Sequence, residues 1–385
     1  MKIAYFYPHF ARLAGTERVL IDKMNYLANQ EGVEVLMVTY EQGSHPVAYP
    51  LSSKVNHIDL DIRFYQLYQC NTLIRLFKWH RYSKLLKRRF NQLMEDIQPE
   101  IVVATTYHGN ILTLVNACPT SFVKVLESHI DKCYIHNKDP ENKHNWRTWL
   151  RSIYDMNVLN REARKFDALV ALHATDAEDW SHYLKAWAIP NIVHLNETGR
   201  YCDLDSKRVI FVGRLNYQKG IPDLIQIWKI VHTRHPDWRL DMYGDGDVRK
   251  IPATKEERMQ MNIHVHTPDN AIFERYLESS LFVLTSFYES FGLVMPEAMS
   301  CGLPVVAFDC PTGPANIITD GVDGFLIRNR DIGLFADKLC SLMKSADLRH
   351  SMSKAAIKSS RRYSADLIMA QWMSLFKDLL ASSHS

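Results

Sequence analysis

Short apolar runs alternate with longer amphipathic stretches along the whole chain, and this alternation constrains the fold more than any single residue. Ile3–Tyr7 reads as a strand. Arg18–Ala28 carries apolar residues at 19, 20, 24 and 27, the spacing of a helix packed on a sheet. Val33–Thr39, Ile101–Ala104, Val123–Leu126 and Leu169–Leu172 read as further strands. The second half repeats the plan, with strands at Arg208–Val212, Arg239–Tyr243, Ile263–Val265, Leu281–Leu284, Val305–Phe308 and Gly324–Ile327 and a helix at Ile221–His232. Strand, helix and strand at this spacing require parallel pairing through right-handed crossovers. The expected class is α/β, with two successive doubly wound, Rossmann-like units.

A chain of 385 residues has room for two such units. The polar stretch Asn196–Ser206 lacks apolar periodicity and sets the boundary. The expected domains are 1–198 and 199–364, with a last helix at about 365–385 free to pack back on the first.

Hydrophobic and charged fractions of 46% and 23% are those of a globular protein, and a formal charge of +3 is too small to imply a nucleic-acid partner. The seven cysteines, at 70, 118, 133, 202, 301, 310 and 340, show no Cys/His pairing of the kind that binds zinc. They read as free thiols of a reducing compartment, and no metal is expected. The opening run MKIAYFYPHF is soon interrupted by charge and lacks a small-residue cleavage site. No stretch approaches the ~20 apolar residues that span a bilayer. The expected location is the cytoplasm, with contact at the inner face of the membrane left open.

Two segments carry chemistry. Val212–Gly220 (VGRLNYQKG) follows a strand and precedes a helix, so it belongs at the carboxyl edge of a sheet, where α/β folds bind ligands. Its Arg214 and Lys219 are a guanidinium fork and a mobile ammonium able to share one diphosphate. Taken alone, the same pair could be two solvated cations on a surface loop. The second segment, Thr285–Gly302, places Glu289 in a loop and Glu297 eight residues on. Pro296 is positioned to start a helix, and Gly302 and Pro304 to end it. Free amides at Leu293–Met295 would favour a phosphate. Glu297 could meet the vicinal hydroxyls of a ribose, or merely offset the helix dipole.

Together these segments resemble the GT-B glycosyltransferases of family 4, retaining transferases that use nucleotide sugars. The likeness rests on Glu289 and Glu297 (E-x7-E), on Arg214 with Lys219, on MYGDGD (Met242–Asp247), on Glu297–Ile327 and, more loosely, on AGTERVL (Ala14–Leu20). It is strong over Arg208–Ile327 and weak over Tyr40–Trp180. The resemblance implies two Rossmann-like domains facing each other across a cleft, with hinge closure between them. It implies that Arg214 and Lys219 neutralise the donor pyrophosphate without a metal, that Glu297 holds the ribose and that Glu289 contacts the transferred sugar. The backbone of Phe291, Gly292, Leu293 and Val294 would meet sugar and phosphates, and that of His266 and Thr267 the base. Gly15 and Thr16 would close over the diphosphate. An N-domain histidine near the reacting carbon is also implied; His129, after a strand, is preferred to His108, and Glu127 could serve the acceptor. A front-face route with retention follows, the departing phosphate helping to deprotonate the acceptor. Ala14 and Ser290 stand where the family commonly has glycine.

Leu73–Met94 interleaves seven Lys/Arg with Leu73, Leu76, Phe77, Trp79 and other apolar residues. It reads either as a basic amphipathic helix resting on anionic lipid or as an ordinary surface helix with one face on the core. The first reading suits a lipid-linked glycan acceptor. The expected activity is thus sugar transfer from a nucleotide-diphosphate sugar, UDP favoured, to a glycan or lipid-linked glycan of a bacterial surface polysaccharide or glycolipid. A GT-B epimerase or phosphorylase, and a non-catalytic partner subunit, remain alternatives. A dinucleotide oxidoreductase is disfavoured because no G-x-G-x-x-G follows the first strand.

Overall fold

The computed structural model describes residues 1–107, 109–132 and 146–383. It divides into two compact units, Met1–Ile192 with the segment from Asp366 onward, and Val193–Ala365.

The first unit holds strands Lys2–Phe6 (β1), Glu34–Thr39 (β2), Val55–Asp59 (β3), Ile101–Thr105 (β4), Val123–Glu127 (β5), Ala168–Ala171 (β6) and Ala186–Ala188 (β7). They form one parallel sheet in the order β3-β2-β1-β4-β5-β6-β7. β1, β2, β4 and β6 are almost wholly buried along their length, as strands covered on both faces must be. The covering helices include Gly15–Ala28 (α1), Thr72–Ile97 (α2), Gly109–Asn116 (α3), Trp146–Ala163 (α4) and Ala174–Ser181 (α5). Two strands escape the sequence reading. β3 (VNHID) is a partly exposed edge strand with no apolar run, and β7 (AWA), though apolar, is only three residues long.

The basic stretch forms α2, whose two halves differ in burial. Phe90 and Met94, in its second half, are buried, with Leu85, Leu86 and Leu93 packed beside them. Its first half leaves Leu73, Leu76 and Phe77 from 62% to 80% exposed.

The second unit contains Arg208–Val212 (β8), Arg239–Tyr243 (β9), Ile263–His266 (β10), Leu281–Leu284 (β11), Val305–Phe308 (β12) and Gly324–Ile327 (β13), again parallel, in the order β10-β9-β8-β11-β12-β13. Chain order reverses between β8 and β11. That switch point opens a crevice at the carboxyl ends of the two strands. Helices Ile221–Arg234 (α6), Lys255–Gln260 (α7), Ile272–Leu277 (α8), Val294–Ser300 (α9), Gly313–Ile317 (α10), Ile332–Lys344 (α11) and Ala346–Ser360 (α12) complete the unit. α6 buries Ile221, Leu224, Ile225, Ile227, Trp228 and Val231, the stripe expected from its spacing.

The last helix, Ala365–Ser383 (α13), packs on the first unit. Its buried Trp372 receives the Lys23 ammonium 4.2 Å from the ring centroid, and Tyr26 donates to Asp366 at 3.1 Å. The six described cysteines are free thiols, and Cys133 lies outside the described residues.

Candidate active site

The loops after β8 and β11, adjacent across the switch point, bring together residues seventy positions apart. Gly220 makes the approach possible. Its φ is +65°, and a Cβ there would lie 1.9 Å from the Thr285 carbonyl oxygen. Gly244 does the same for MYGDGD, because a Cβ would lie 1.8 Å from the Gly213 carbonyl oxygen. The β8 and β11 loops are then laced together. Thr285 Oγ1 donates to the Lys219 carbonyl at 2.9 Å, and the Phe287 amide donates to the Gln218 carbonyl at 2.8 Å.

Within this frame the Lys219 ammonium donates to Glu289 Oε1, which also accepts from Ser286 Oγ at 2.6 Å. Both side chains are largely buried, at 13% and 9% exposure. The Glu289 carbonyl is braced by the amides of Thr312 and Gly313 at 3.2 and 2.7 Å. The pair uses one of three ammonium donors, so two remain for an anion. Arg214 points elsewhere: it is exposed, and its guanidinium donates to Gln218 Oε1 at 3.2 Å. The structure thus pairs Lys219 directly with Glu289.

α9 begins at Val294, so Pro296 is its third residue and does not start it. A proline there still forfeits no intrahelical bond, since the first four amides of a helix have no partner within it. The expectation of free amides at Leu293–Met295 fails at Met295, whose N–H donates to the Gly292 carbonyl at 3.0 Å. Glu297 is buried, and Tyr276 Oη donates to its Oε2 at 3.4 Å. Phe291 is buried edge-on against Tyr363, while Gly292, Leu293 and Val294 are half-buried. At the end of β10, His266 stacks on Tyr243 at 4.3 Å and 13°, and its Nε2 lies 2.9 Å from Asp241 Oδ1. The His266 carbonyl accepts from the Gly244 amide at 3.2 Å, and Thr267 is exposed.

The first unit carries its own cluster at the end of β5. Lys23, buried on α1, donates to Glu127 Oε2, and His129 Nε2 lies 3.0 Å from the same oxygen. Burial pushes Glu127 up, but the Lys23 charge and the His129 hydrogen bond outweigh it and hold the carboxyl below its ordinary range. Burial pushes His129 down in spite of Glu127, so the imidazole is neutral at neutral pH. A neutral ring facing a carboxylate carries its proton on Nε2, which leaves the Nδ1 lone pair as the basic position. Gly15 opens α1 on the surface, and Thr16 Oγ1 lies 2.9 Å from Tyr107 Oη. His108, the competing histidine, lies outside the described residues. A cavity of about 750 Å³ opens near the ends of β1 and β2, walled by Tyr7, Glu17, Tyr40, Glu41, Phe64 and Trp79.

Sequence reasoning missed Lys23, Ser286 and Arg330, whose guanidinium donates to the Thr285 and Ser286 carbonyls of the β11 loop. Lys23 had a signal: it falls on the apolar stripe of α1, four residues from Val19 and Leu27. Ser286 and Arg330 had none, because their partners are set by tertiary packing. Among the described residues, no group of three or more His, Cys, Asp or Glu is placed to hold a metal ion. No described helix is long and apolar enough to cross a membrane.

Residues 202–359 match the family model "Glycosyl transferases group 1". The chain is 36% identical over 184 residues to the amylovoran biosynthesis glycosyltransferase AmsD of Erwinia amylovora, a match that takes in 46% of this chain and 51% of that protein. It therefore spans about half the length of that relative. An uncharacterized glycosyltransferase of Haemophilus influenzae is 24% identical over 384 residues, covering 96% of this chain and 98% of that one. Among solved structures, TarM of S. aureus superposes with a TM-score of 0.75 at 16% identity, over 97% of this chain and 99% of that one. The lipopolysaccharide outer core galactosyltransferase WaaB superposes with a TM-score of 0.70 at 17% identity over the whole of both chains. At such identities the superpositions speak for the fold. The chain has the GT-B fold, and its residues 202–359 match the model of the group 1 glycosyl transferases.

Proposed function

We propose that the protein moves a sugar from a nucleotide-diphosphate sugar to a glycan, with retention at the anomeric carbon. The observation that carries this reading is the buried Lys219–Glu289–Ser286 cluster at the β8/β11 switch point, with Glu297 on the helix that follows. All four lie within the matched group 1 segment.

A departing nucleoside diphosphate needs its developing charge neutralised. Lys219, fixed in a largely buried site, supplies that without reorganisation, and Arg214 adds a mobile guanidinium at the rim. Glu289 accepts hydroxyls of the transferred sugar, Glu297 takes the ribose hydroxyls, and Phe291–Val294 line the sugar and phosphates. The backbone at His266–Thr267 faces the base, beside the Tyr243–His266 stack. Binding is assigned to these side chains and amides with no metal ion, and UDP is the favoured nucleotide. In the first unit, Gly15 and Thr16 attend the diphosphate and neutral His129 the reacting carbon.

The acceptor is assigned to the first unit, whose aromatic-walled cavity falls within the ~300–1,000 Å³ usual for small-ligand sites. Aromatic faces and carboxyls suit a saccharide. The exposed Leu73, Leu76 and Phe77, interleaved with Arg75, Lys78 and Arg81, favour a lipid-linked glycan reached at an anionic membrane surface. Relatives named as the amylovoran biosynthesis glycosyltransferase, a poly(glycerol-phosphate) α-glucosyltransferase and a poly(ribitol-phosphate) α-N-acetylglucosaminyltransferase support a bacterial surface polymer as the setting.

The test is transfer of labelled sugar from a panel of nucleotide sugars to a bacterial lipid extract in EDTA. Label should appear in the lipid-linked fraction with one donor. Lys219→Ala should lower the rate by about 10²–10³, the usual loss of one transition-state charge donor. Wild-type transfer rates in Lys219→Ala and Glu297→Ala would refute the assignment of the site.

A further inference from the structure

Beside the Lys219–Glu289 pair, Arg330 hydrogen-bonds to both of the segments that carry it. Arg330 follows β13, at the edge of the sheet, in a turn where both Asn329 and Arg330 have positive φ, +54° and +51°. That conformation is unfavourable for any residue but glycine, and it persists only where surrounding contacts over-determine it. Those contacts are numerous. Arg330 Nη1 donates to the Ser286 carbonyl at 2.8 Å and Nη2 to the Thr285 carbonyl at 2.9 Å, both in the β11 loop. Nε donates to Asp223 Oδ2 at 3.1 Å, and Nη2 reaches the same oxygen, in the first turn of α6 just beyond Lys219. The guanidinium lies over Phe287 at 3.8 Å and Phe308 at 4.4 Å. Phe287 in turn stacks on Tyr217 at 4.5 Å and 11°, two residues before Lys219.

We infer that Arg330 is a positioning residue that clamps the Lys219 loop to the Glu289 loop and so presets the diphosphate-binding ammonium. One guanidinium fork ties the first turn after Lys219 to the carbonyls of the first two residues of the β11 loop. Ser286, whose carbonyl Arg330 holds, is the residue whose hydroxyl holds Glu289. The path from clamp to site therefore runs through two hydrogen bonds. Only a planar fork with five donors can serve this set of acceptors at once, so lysine is no substitute.

This inference rests on the donor-site assignment of Lys219, and a double-mutant cycle separates the two. The affinity of the full chain is measured by calorimetric titration with UDP, GDP, ADP and CDP, taking the diphosphate that wild type binds most tightly. Arg330→Gln should raise its Kd about tenfold. The same change made in Lys219→Met should raise it less than twofold, because the group being positioned is gone. Equal rises in both backgrounds, or no rise in either, would overturn the clamp. Wild-type affinity in Lys219→Met, or no binding of any of the four diphosphates, would instead remove the donor-site assignment. If Arg330→Gln yields no folded protein, Asp223→Asn, which removes the carboxylate arm alone, enters the same cycle with the same expectation.

Discussion

Replacing Lys23 by methionine should make the stability of the first unit fall more steeply above pH 7 than the wild type's. Lys23 and Glu127 have side-chain exposures of 3% and 2%, so Glu127 would be left as a buried carboxylate with His129 against it. Removing one partner of a buried pair costs about 3–5 kcal/mol unless the remaining charge is neutralised. Neutralisation takes one proton, either onto Glu127, whose ordinary value is 4.5, or onto His129, whose ordinary value is 6.5. At about 1.36 kcal/mol per pH unit, the first route costs about 3.4 kcal/mol at pH 7 and the second about 0.7 kcal/mol. Whichever group takes the proton, the folded variant binds one more proton than the unfolded chain above pH 7. Its stability must then fall by about 2 kcal/mol between pH 7 and 8.5, until the cost of an unpaired carboxylate caps the loss. In the wild type Glu127 is depressed. Its contribution is present above 4.5 and is lost only as pH falls through the lower folded value. His129 is also depressed, so its contribution is complete above 6.5. Neither group gives the wild type a slope in this window. Urea unfolding of both proteins at pH 7.0 and 8.5 measures the difference, and its size at pH 7 says which group carries the proton. Lys23→Met combined with Glu127→Gln should lose the extra slope. Parallel stability of Lys23→Met and wild type across the window would refute the assigned ion pair.

Other consequences can be checked separately. Gly220→Ala should unfold the second unit at lower denaturant, by at least about 2 kcal/mol, because it adds both a steric clash and an αL residue; calorimetry of the purified variant reads it. Leu76→Ser with Phe77→Ser should weaken sedimentation with phosphatidylglycerol vesicles at least tenfold while leaving nucleotide affinity unchanged. If His129 must be neutral to attend the reacting carbon, its protonation should give no acid limb at 6.5, only one at lower pH, since burial depresses its pKa. A limb at or above 6.5 in wild type that persists in His129→Gln would assign that titration elsewhere.

Much of the fold was legible because strand and helix periodicities are local. The strands of the second unit fall where apolar runs stand, and β3 and β7 were missed because the partly exposed edge strand has no apolar run and the other is only three residues long. The site was legible only as segments. The loops bearing Lys219 and Glu289 could be placed at a sheet's carboxyl edge, yet their adjacency depends on β8 pairing with β11 across the switch point, which no local pattern encodes. For the same reason the likeness that joined Arg214 to Lys219 did not foresee that Lys219 faces Glu289. The amide of Met295 was misjudged because its partner, Gly292, depends on where α9 begins. Arg330 was invisible, since its partners lie about 45 and 107 positions away.

The most direct test of the central claim is thermal unfolding with UDP-, GDP-, ADP- and CDP-sugars in EDTA, in wild type and Lys219→Ala. A ligand at a hundredfold excess over its Kd adds about 2.7 kcal/mol. One nucleotide sugar should raise the wild-type melting temperature by several degrees and leave Lys219→Ala unmoved. No shift with any of them, or an equal shift in the variant, would contradict a donor site built on Lys219.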